Sequence, residues 1–286
     1  MKKTGVIFLF LFLASGSCPG ANFAYLNNPA GARAVGLAES FTALPGDVFS
    51  MYYNPASVVN LKQTTIGLTH VEFIQGTRYE YAAIVFPVSR TAAGFSIIYI
   101  NNGVQERRDL DGVVTGEFTP YQVVPQATIA VEAVDGFSLG LNLKVPYEVI
   151  DDYLNYKPLF DIGANIKVIE RIYAGVNAQN IGTSENLPTN FKAGLAYMGE
   201  KINFCIDYNA PIQAVSTVSI GFEAKTLGMF TLRAGYKSKL GSPINAENGI
   251  SAGFGARFDI INVDYGYKTY GELGGTHFVS LTMGIK

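Results

Sequence analysis

From about residue 64 to the end, apolar side chains recur at every second position, in segments of roughly ten residues. Phe137, Leu139, Leu141, Leu143 and Val145 alternate with Ser138, Gly140, Asn142 and Lys144. Successive side chains of a strand point to opposite faces, so each such segment has one apolar face and one polar face. A small soluble barrel would bury the apolar face. Many such segments behind a secretory leader favour the reverse, with the apolar face on lipid and the polar face on a lumen.

The leader is legible at the start. Met1-Lys2-Lys3 precedes the apolar run Val6–Ala14 and the small residues Ser15, Gly16 and Ser17. That is a charged region, a hydrophobic region and a cleavage zone, read as a signal peptide over residues 1–20 cut between about 17 and 24. The run is too short to cross a bilayer, and no later stretch is apolar and long enough for a membrane helix, so any span is a barrel. Cys18 lacks the upstream Leu of a lipid-attachment box and is read as lying in or beside the discarded leader. With Cys205 it makes no disulfide framework, and the two are too few for a Cys/His metal site.

Composition agrees. Apolar residues make up 48% of the 286 and charged residues 15%, with 31 Gly, which is too apolar for disorder and too Gly-rich for a helical protein. Net charge is −2, and −4 once Lys2 and Lys3 are removed, so there is no basic surplus for nucleic acid.

Turn signals divide the alternating region into strands over about 64–73, 77–87, 91–100, 119–132, 137–149, 158–168, 171–181, 190–198, 201–210, 216–225, 229–239, 248–258, 260–268 and 277–285. These are fourteen, an even number as bacterial barrels require. Short connections such as Val134-Asp135-Gly136 and Glu170-Arg171 alternate with longer ones such as 101–118 and 150–157. Tight turns face the periplasm in such barrels, which puts both termini on that side. Two presumed outer connections, 74–76 and 210–215, are also short. Residues 25–60 show no strand alternation. They are rich in Ala and Gly, with a helix expected over about 48–53, N-capped by Asp47 and stopped by Pro55. They are read as a hatch within a barrel over residues 64–286.

Lipid-facing positions include Ile202, Phe204, Ile206 and Tyr208, with Tyr208, Tyr236 and Tyr267 in an aromatic girdle. Lumen-facing polar residues include Asp207, Arg233, Arg257, Asp264 and Lys268. Such charges pair with one another or with a plug, because a buried charge needs a partner. Inward glycines, among them Gly140, Gly163, Gly194, Gly221, Gly235, Gly253 and Gly255, leave room for a plug or ligand, or ease strand bending. Hatch aromatics Phe41, Phe49, Tyr52 and Tyr53 are read first as packing and second as ligand contacts. His70 and His277 belong to no nucleophile–base arrangement, so no catalytic residue and no enzyme is expected. The acidic clusters Asp151-Asp152 and Glu106–Asp111 are read as solvated loops rather than calcium sites. No metal and no cofactor is expected.

Three stretches carry a family resemblance. Gly31–Ala43 (GARAVGLAESFTA), followed by Asp47 and Tyr52-Tyr53-Asn54-Pro55-Ala56-Ser57, resembles the N-terminal signature of PorV/PorQ-type outer-membrane proteins, relatives of the FadL long-chain fatty-acid transporter. Val263-Asp264-Tyr265-Gly266-Tyr267 with Gly271–His277 resembles the end of that family, and Asn177–Gly182 its mid-barrel strand. The resemblance implies a fourteen-stranded barrel with an N-terminal hatch. It places Asn54, Pro55 and Ala56 in the plug through which hydrophobic ligands pass, with Arg33, Phe41, Tyr52 and Tyr53 beside that path. Two departures stand out: the chain ends Met283-Gly284-Ile285-Lys286 without a terminal aromatic, and the outer loops are short for a FadL-type ligand groove. The combined expectation is an all-β, monomeric barrel in the outer membrane of a diderm bacterium. Its expected partners are outer-membrane lipid and a small hydrophobic compound that it passes passively. The alternative is a docking barrel of a PorV-like type IX secretion system, with secretion proteins as partners. An open porin is disfavoured by the hatch.

Overall fold

The computed structural model describes residues 23–73, 76–183, 187–226, 228–241, 249–271 and 274–285. The leader, Cys18 and the Glu272-Leu273 part of the C-terminal motif lie outside them. In chain order the strands are β1 (Thr64–Glu72), β2 (Arg78–Val88), β3 (Thr91–Asn101), β4 (Gln105–Arg108), β5 (Val114–Phe118), β6 (Tyr121–Val134), β7 (Phe137–Lys144), β8 (Tyr147–Ile150), β9 (Tyr153–Tyr156), β10 (Leu159–Ile169), β11 (Ile172–Ile181), β12 (Asn190–Met198), β13 (Ile202–Pro211), β14 (Thr217–Thr226), β15 (Phe230–Lys239), β16 (Ile250–Phe258), β17 (Ile261–Thr269) and β18 (Gly275–Ile285).

Fourteen of them, β1–β3, β6, β7 and β10–β18, pair antiparallel with their neighbours and close through β1–β18 and β3–β6 into a barrel. Closure leaves the wall without a free edge, which a bilayer demands because nothing in hydrocarbon satisfies an unpaired backbone group. The alternation settles which face is which. On β7 Leu139, Leu141 and Leu143 are exposed, while Ser138, Asn142 and Lys144 are buried. On β13 Ile202, Phe204, Ile206 and Tyr208 point out, and Asn203, Cys205 and Asp207 point in. The hydrophobic effect cannot favour such an outer surface in water, so the barrel is built for lipid.

Strand bounds match the turn signals to within a residue or two, with two corrections. The segment 137–149 is split into β7 and β8, with β9 inside the connection 150–157, and residues 101–118, read as a loop, contain the β4–β5 hairpin. Both arise where proline removes a ladder donor. Pro146 and Pro158 interrupt the hairpin that β7 and β10 begin, yet Lys157 N–H still donates to Pro146 O (3.3 Å), and β8 and β9 resume in the same register. Asn102 N–H donates likewise to Pro120 O (3.0 Å) below β4–β5. Two adjacent hairpins therefore extend the wall at the long-loop end, joined by β6–β8 pairing and by the Arg107–Asp151 ion pair.

Residues 23–61 fill the lumen. They hold two short helices, α1 (Ala32–Gly36) and α2 (Ser50–Tyr53), and two 3₁₀ turns, Ala24–Asn27 and Pro55–Asn60. Asp47 Oδ1 accepts from Phe49 N (2.9 Å) at the start of α2, and Asn54 Oδ1 accepts from Ala56 N (3.1 Å) to cap the next turn. Nearly every plug side chain from Ala30 to Val58 is buried, and this segment, not the wall, forms the centre of the hydrophobic core. The plug crosses the lumen from end to end. Tyr25 lines a pocket at the long-loop mouth and Leu61 a cavity at the tight-turn mouth. Thus only the C-terminal strand ends at the tight-turn side, where both termini were expected. The first described residues lie at the opposite end.

Candidate functional site

The plug meets the wall backbone to backbone. Four cross-strand glycine pairs, Gly140/Gly163, Gly175/Gly194, Gly221/Gly235 and Gly253/Gly266, face inward around the barrel. A Cβ on Gly235 would lie 2.5 Å from Ala38 N, one on Gly221 2.7 Å from Leu37 O, and one on Gly266 2.5 Å from Ala32 O. One on Gly140 would overlap the Pro55–Ala56 peptide, and one on Gly163 the Asn54 side chain. Of the two sequence readings of these glycines, room for a plug is what the structure displays.

Between the glycines, wall side chains bond the plug's irregular backbone, which has no ladder of its own and must be satisfied when buried. Asn165 donates to Ala43 O (3.0 Å), Asn142 to Met51 O (2.8 Å) and Asn177 to Tyr53 O (2.6 Å). Ser280 Oγ accepts from Ala32 N (2.8 Å). Asp207 Oδ2 accepts from both Phe41 N and Thr42 N, each at 2.9 Å. Asp207→Ala is therefore expected to free the 40–43 segment. Each charge-assisted bond to a buried N–H contributes about 1.5–3 kcal/mol, a loss that denaturant titration would register.

Two ionic clusters fix α1 and the turn after it. Toward the tight-turn mouth, Arg33 donates to Glu223 through Nε and a terminal nitrogen, both at 2.9 Å, and to Asp47 Oδ2 at 2.9 Å. Glu223 also accepts from Arg233 Nε (2.6 Å) and Asn203 (2.6 Å), and Arg233 continues to Asp264 (2.7 Å). On the other side Glu39, with Ala38 in left-handed backbone, binds Lys237 (2.8 Å) and Lys268 (2.6 Å). Of the polar residues expected in the lumen, Asp207, Arg233, Asp264 and Lys268 thus contact the plug or one another. Arg257 stands apart, exposed on the rim of the tight-turn cavity.

The plug residues singled out from sequence all sit in this interface. Asn54 donates from Nδ2 to Thr42 O (2.8 Å) and to Ala164 O of β10 (3.0 Å), so it stitches plug to plug and plug to wall. Pro55 and Ala56 face Gly140. Tyr52 and Tyr53 donate to Leu26 O (2.7 Å) and Ala30 O (3.0 Å) within the plug, and Phe41 packs on Tyr53 with ring centroids 5.1 Å apart. Sequence reading missed Glu39, Glu223 and Lys192. The Lys192 ammonium lies over the Tyr52 and Tyr53 rings, at 5.8 and 5.3 Å. An inward basic residue on β12 was the available signal. The charges at 106–108 and 151 are engaged in ion pairs, Arg108–Glu106 and Arg107–Asp151.

Two spaces flank the plug. At the tight-turn mouth a cavity of about 950 Å³ is lined by Arg33, Asp47, Lys62, Lys225, Arg233 and Arg257 among other polar groups. At the long-loop mouth a pocket of about 280 Å³ is lined by Tyr25, Phe73, Ile100 and Tyr270, with Asn28, Asn102 and Gln122. The first is charged; the second joins those four aromatic or aliphatic side chains to the amides and to the hydroxyls of Thr77 and Thr276.

A family model described as "Uncharacterised protein family (UPF0164)" matches residues 15–152, just under half of the chain. No curated protein sequence matches. Among solved structures the fold is similar to the Ralstonia pickettii toluene transporter TbuX, with TM-score 0.65 and 12% identity over 90% of this chain and 99% of that one. It is similar to a Pseudomonas aeruginosa FadL homologue, with TM-score 0.64 and 12% identity over 91% and 99% of the two chains. The P. putida toluene transporter TodX aligns with TM-score 0.63 and 12% identity over 90% and 99%. The shared feature is the fold: a fourteen-stranded antiparallel barrel with an N-terminal plug.

Proposed function

We propose that this chain is a passive conduit for small hydrophobic compounds across the outer membrane of a diderm bacterium, gated by its plug. In this reading residues 1–20 are a secretion signal, 25–60 the hatch and 64–286 the barrel, and the PorV/PorQ-type signature marks a FadL-like chain. The carrying observation is a lipid-facing barrel with a filled lumen, together with a pocket of about 280 Å³ at the long-loop mouth that sets Tyr25, Phe73, Ile100 and Tyr270 among amide and hydroxyl groups. A filled lumen opposes free diffusion of polar solutes. The pocket is at the small end of ligand sites and fits one compact apolar molecule rather than a long chain. The fold likeness to toluene transporters supports the same class.

The steps follow from the geometry. An apolar molecule leaves the lipid or the outer surface for the pocket between Tyr25, Phe73, Ile100 and Tyr270. The plug around Asn54-Pro55-Ala56 then shifts along its glycine-lined seat, releasing the bonds that Asn142, Asn165 and Asn177 make to it. Phe41, Tyr52 and Tyr53 give the moving surface its apolar character, and Arg33 is the tether on the tight-turn side. The secretion-barrel alternative uses the outer loops and the hatch as a docking surface, and of these the hatch is buried against the wall.

Thr77→Trp, at the pocket rim, fills the mouth against Tyr25 and Asn28 and leaves the glycine-lined seat of the plug as it is. Uptake of a one-ring aromatic hydrocarbon into proteoliposomes is expected to fall severalfold while barrel stability is unchanged. Uptake equal to the parent chain would remove the pocket from the path.

A further inference from the structure

The pocket at the long-loop mouth has polar groups that a plain hydrocarbon leaves unsatisfied. Gln122 of β6 and Thr276 of β18 both line it, and they are only 7% and 1% exposed. Asn102 fixes which way the Gln122 amide is turned. Its Nδ2 donates to Pro120 O (3.4 Å) and to Gln122 Oε1 (3.0 Å), so the oxygen of Gln122 is engaged and its Nε2 is left over. Among the described residues that Nε2 has no acceptor, and the Thr276 hydroxyl has no hydrogen-bond partner. A buried donor left unmet is costly, so such a group marks a place where another molecule completes the bond.

The rest of the pocket suits a ring. Phe73 is held edge-on against Tyr79 and Phe278, with ring centroids 6.1 and 6.0 Å away, and Tyr25, Tyr270 and Ile100 complete the apolar lining. A dry cavity of about 150 Å³ holds benzene, so the volume of about 280 Å³ admits a ring with a substituent. No charged side chain among the described residues lines the pocket, and an ionised ligand would enter it without a partner. That disfavours a fatty-acid carboxylate.

We propose that the substrate class of this pocket is a neutral one-ring compound bearing a hydroxyl, a phenol in preference to a hydrocarbon, selected by Gln122; this narrows the conduit reading above and rests on it. The phenolic oxygen accepts from Gln122 Nε2, the ring lies against Phe73 and its aromatic neighbours, and the Thr276 hydroxyl supplies a second polar contact. Water bound in the empty pocket does not remove the preference. A methyl group that displaces it cannot make its bond, whereas a hydroxyl can.

The test is equilibrium dialysis of labelled para-cresol and para-xylene against the full chain in detergent, with protein-free micelles subtracted. The two probes share a shape and differ by a hydroxyl in place of a methyl. The parent chain is expected to bind para-cresol about tenfold more tightly, the worth of one net hydrogen bond. Gln122→Met keeps the side-chain length, removes the donor and brings the ratio close to one. Thr276→Val lowers the ratio by a smaller factor. Tyr99→Phe, on the exposed face of β3, keeps the parent ratio. Heat-modifiable gel mobility verifies that each variant is a folded barrel. Equal binding of the two probes, abolished by Thr77→Trp, overturns the phenol class and leaves the conduit reading standing. A parent ratio that survives in Gln122→Met overturns Gln122 as the selecting residue. Binding that Thr77→Trp does not change overturns both the phenol class and the reading it rests on.

Discussion

Valine in place of Gly140 is expected to unseat the plug while leaving the barrel closed. The β7 strand has no need of glycine for its own conformation; the need comes from across the lumen, where a Cβ would occupy the Pro55–Ala56 peptide. Backbone cannot rotate away as a side-chain tip can. Overpacking of a tight core costs roughly 1–3 kcal/mol, occasionally more, and here the yielding element is the plug, which has no ladder bonds. Asn54, seated on the neighbouring Gly163, moves with it. The readout is ion conductance in planar bilayers: near zero for the parent chain and raised for Gly140→Val. Gly116→Val, in β5 with open space around its Cβ position, is the control and leaves conductance unchanged.

The second large effect is at Glu223. Its carboxylate lies between two guanidinium groups, Arg33 from the plug and Arg233 from β15. Removal as Glu223→Ala leaves both cations buried beside each other, with Asp47 and Asp264 as their remaining anions. Breaking a buried pair by deleting one partner costs about 3–5 kcal/mol, because the partner left behind is unsatisfied in a poorly solvating interior. Glu223→Ala is therefore expected to shift the denaturation midpoint strongly downward and to free α1, seen as faster proteolysis after Arg33. Glu223→Gln keeps volume and one acceptor and falls between the two. A midpoint unchanged in Glu223→Ala would show that the cluster holds nothing.

The wall was readable from residues because a strand needs only a period of two and a turn signal. Fourteen segments, their ends and their two faces followed from residues such as Leu139/Gly140 and Phe204/Cys205. The two protruding hairpins were less readable, since Pro120, Pro146 and Pro158 break the ladder where the pattern would have been counted. The plug was readable as a non-strand segment but not as a set of contacts. Its bonds are between parts of the chain far apart in sequence, such as Asp207 with Phe41 and Glu223 with Arg33, and no local period encodes them. Glycine was the nearest available sign, because inward glycines in consecutive strands have no strand-forming purpose.

Whether the plug must move is the central question. Cysteines at Ala32 and Ser280, where Ala32 N donates to Ser280 Oγ at 2.8 Å, would tie α1 to β18. Uptake of a one-ring aromatic hydrocarbon would be measured in proteoliposomes holding this variant, oxidised and then reduced. The account predicts that oxidation stops uptake and that reduction restores it. Uptake at the same rate in both states would contradict a plug-gated path.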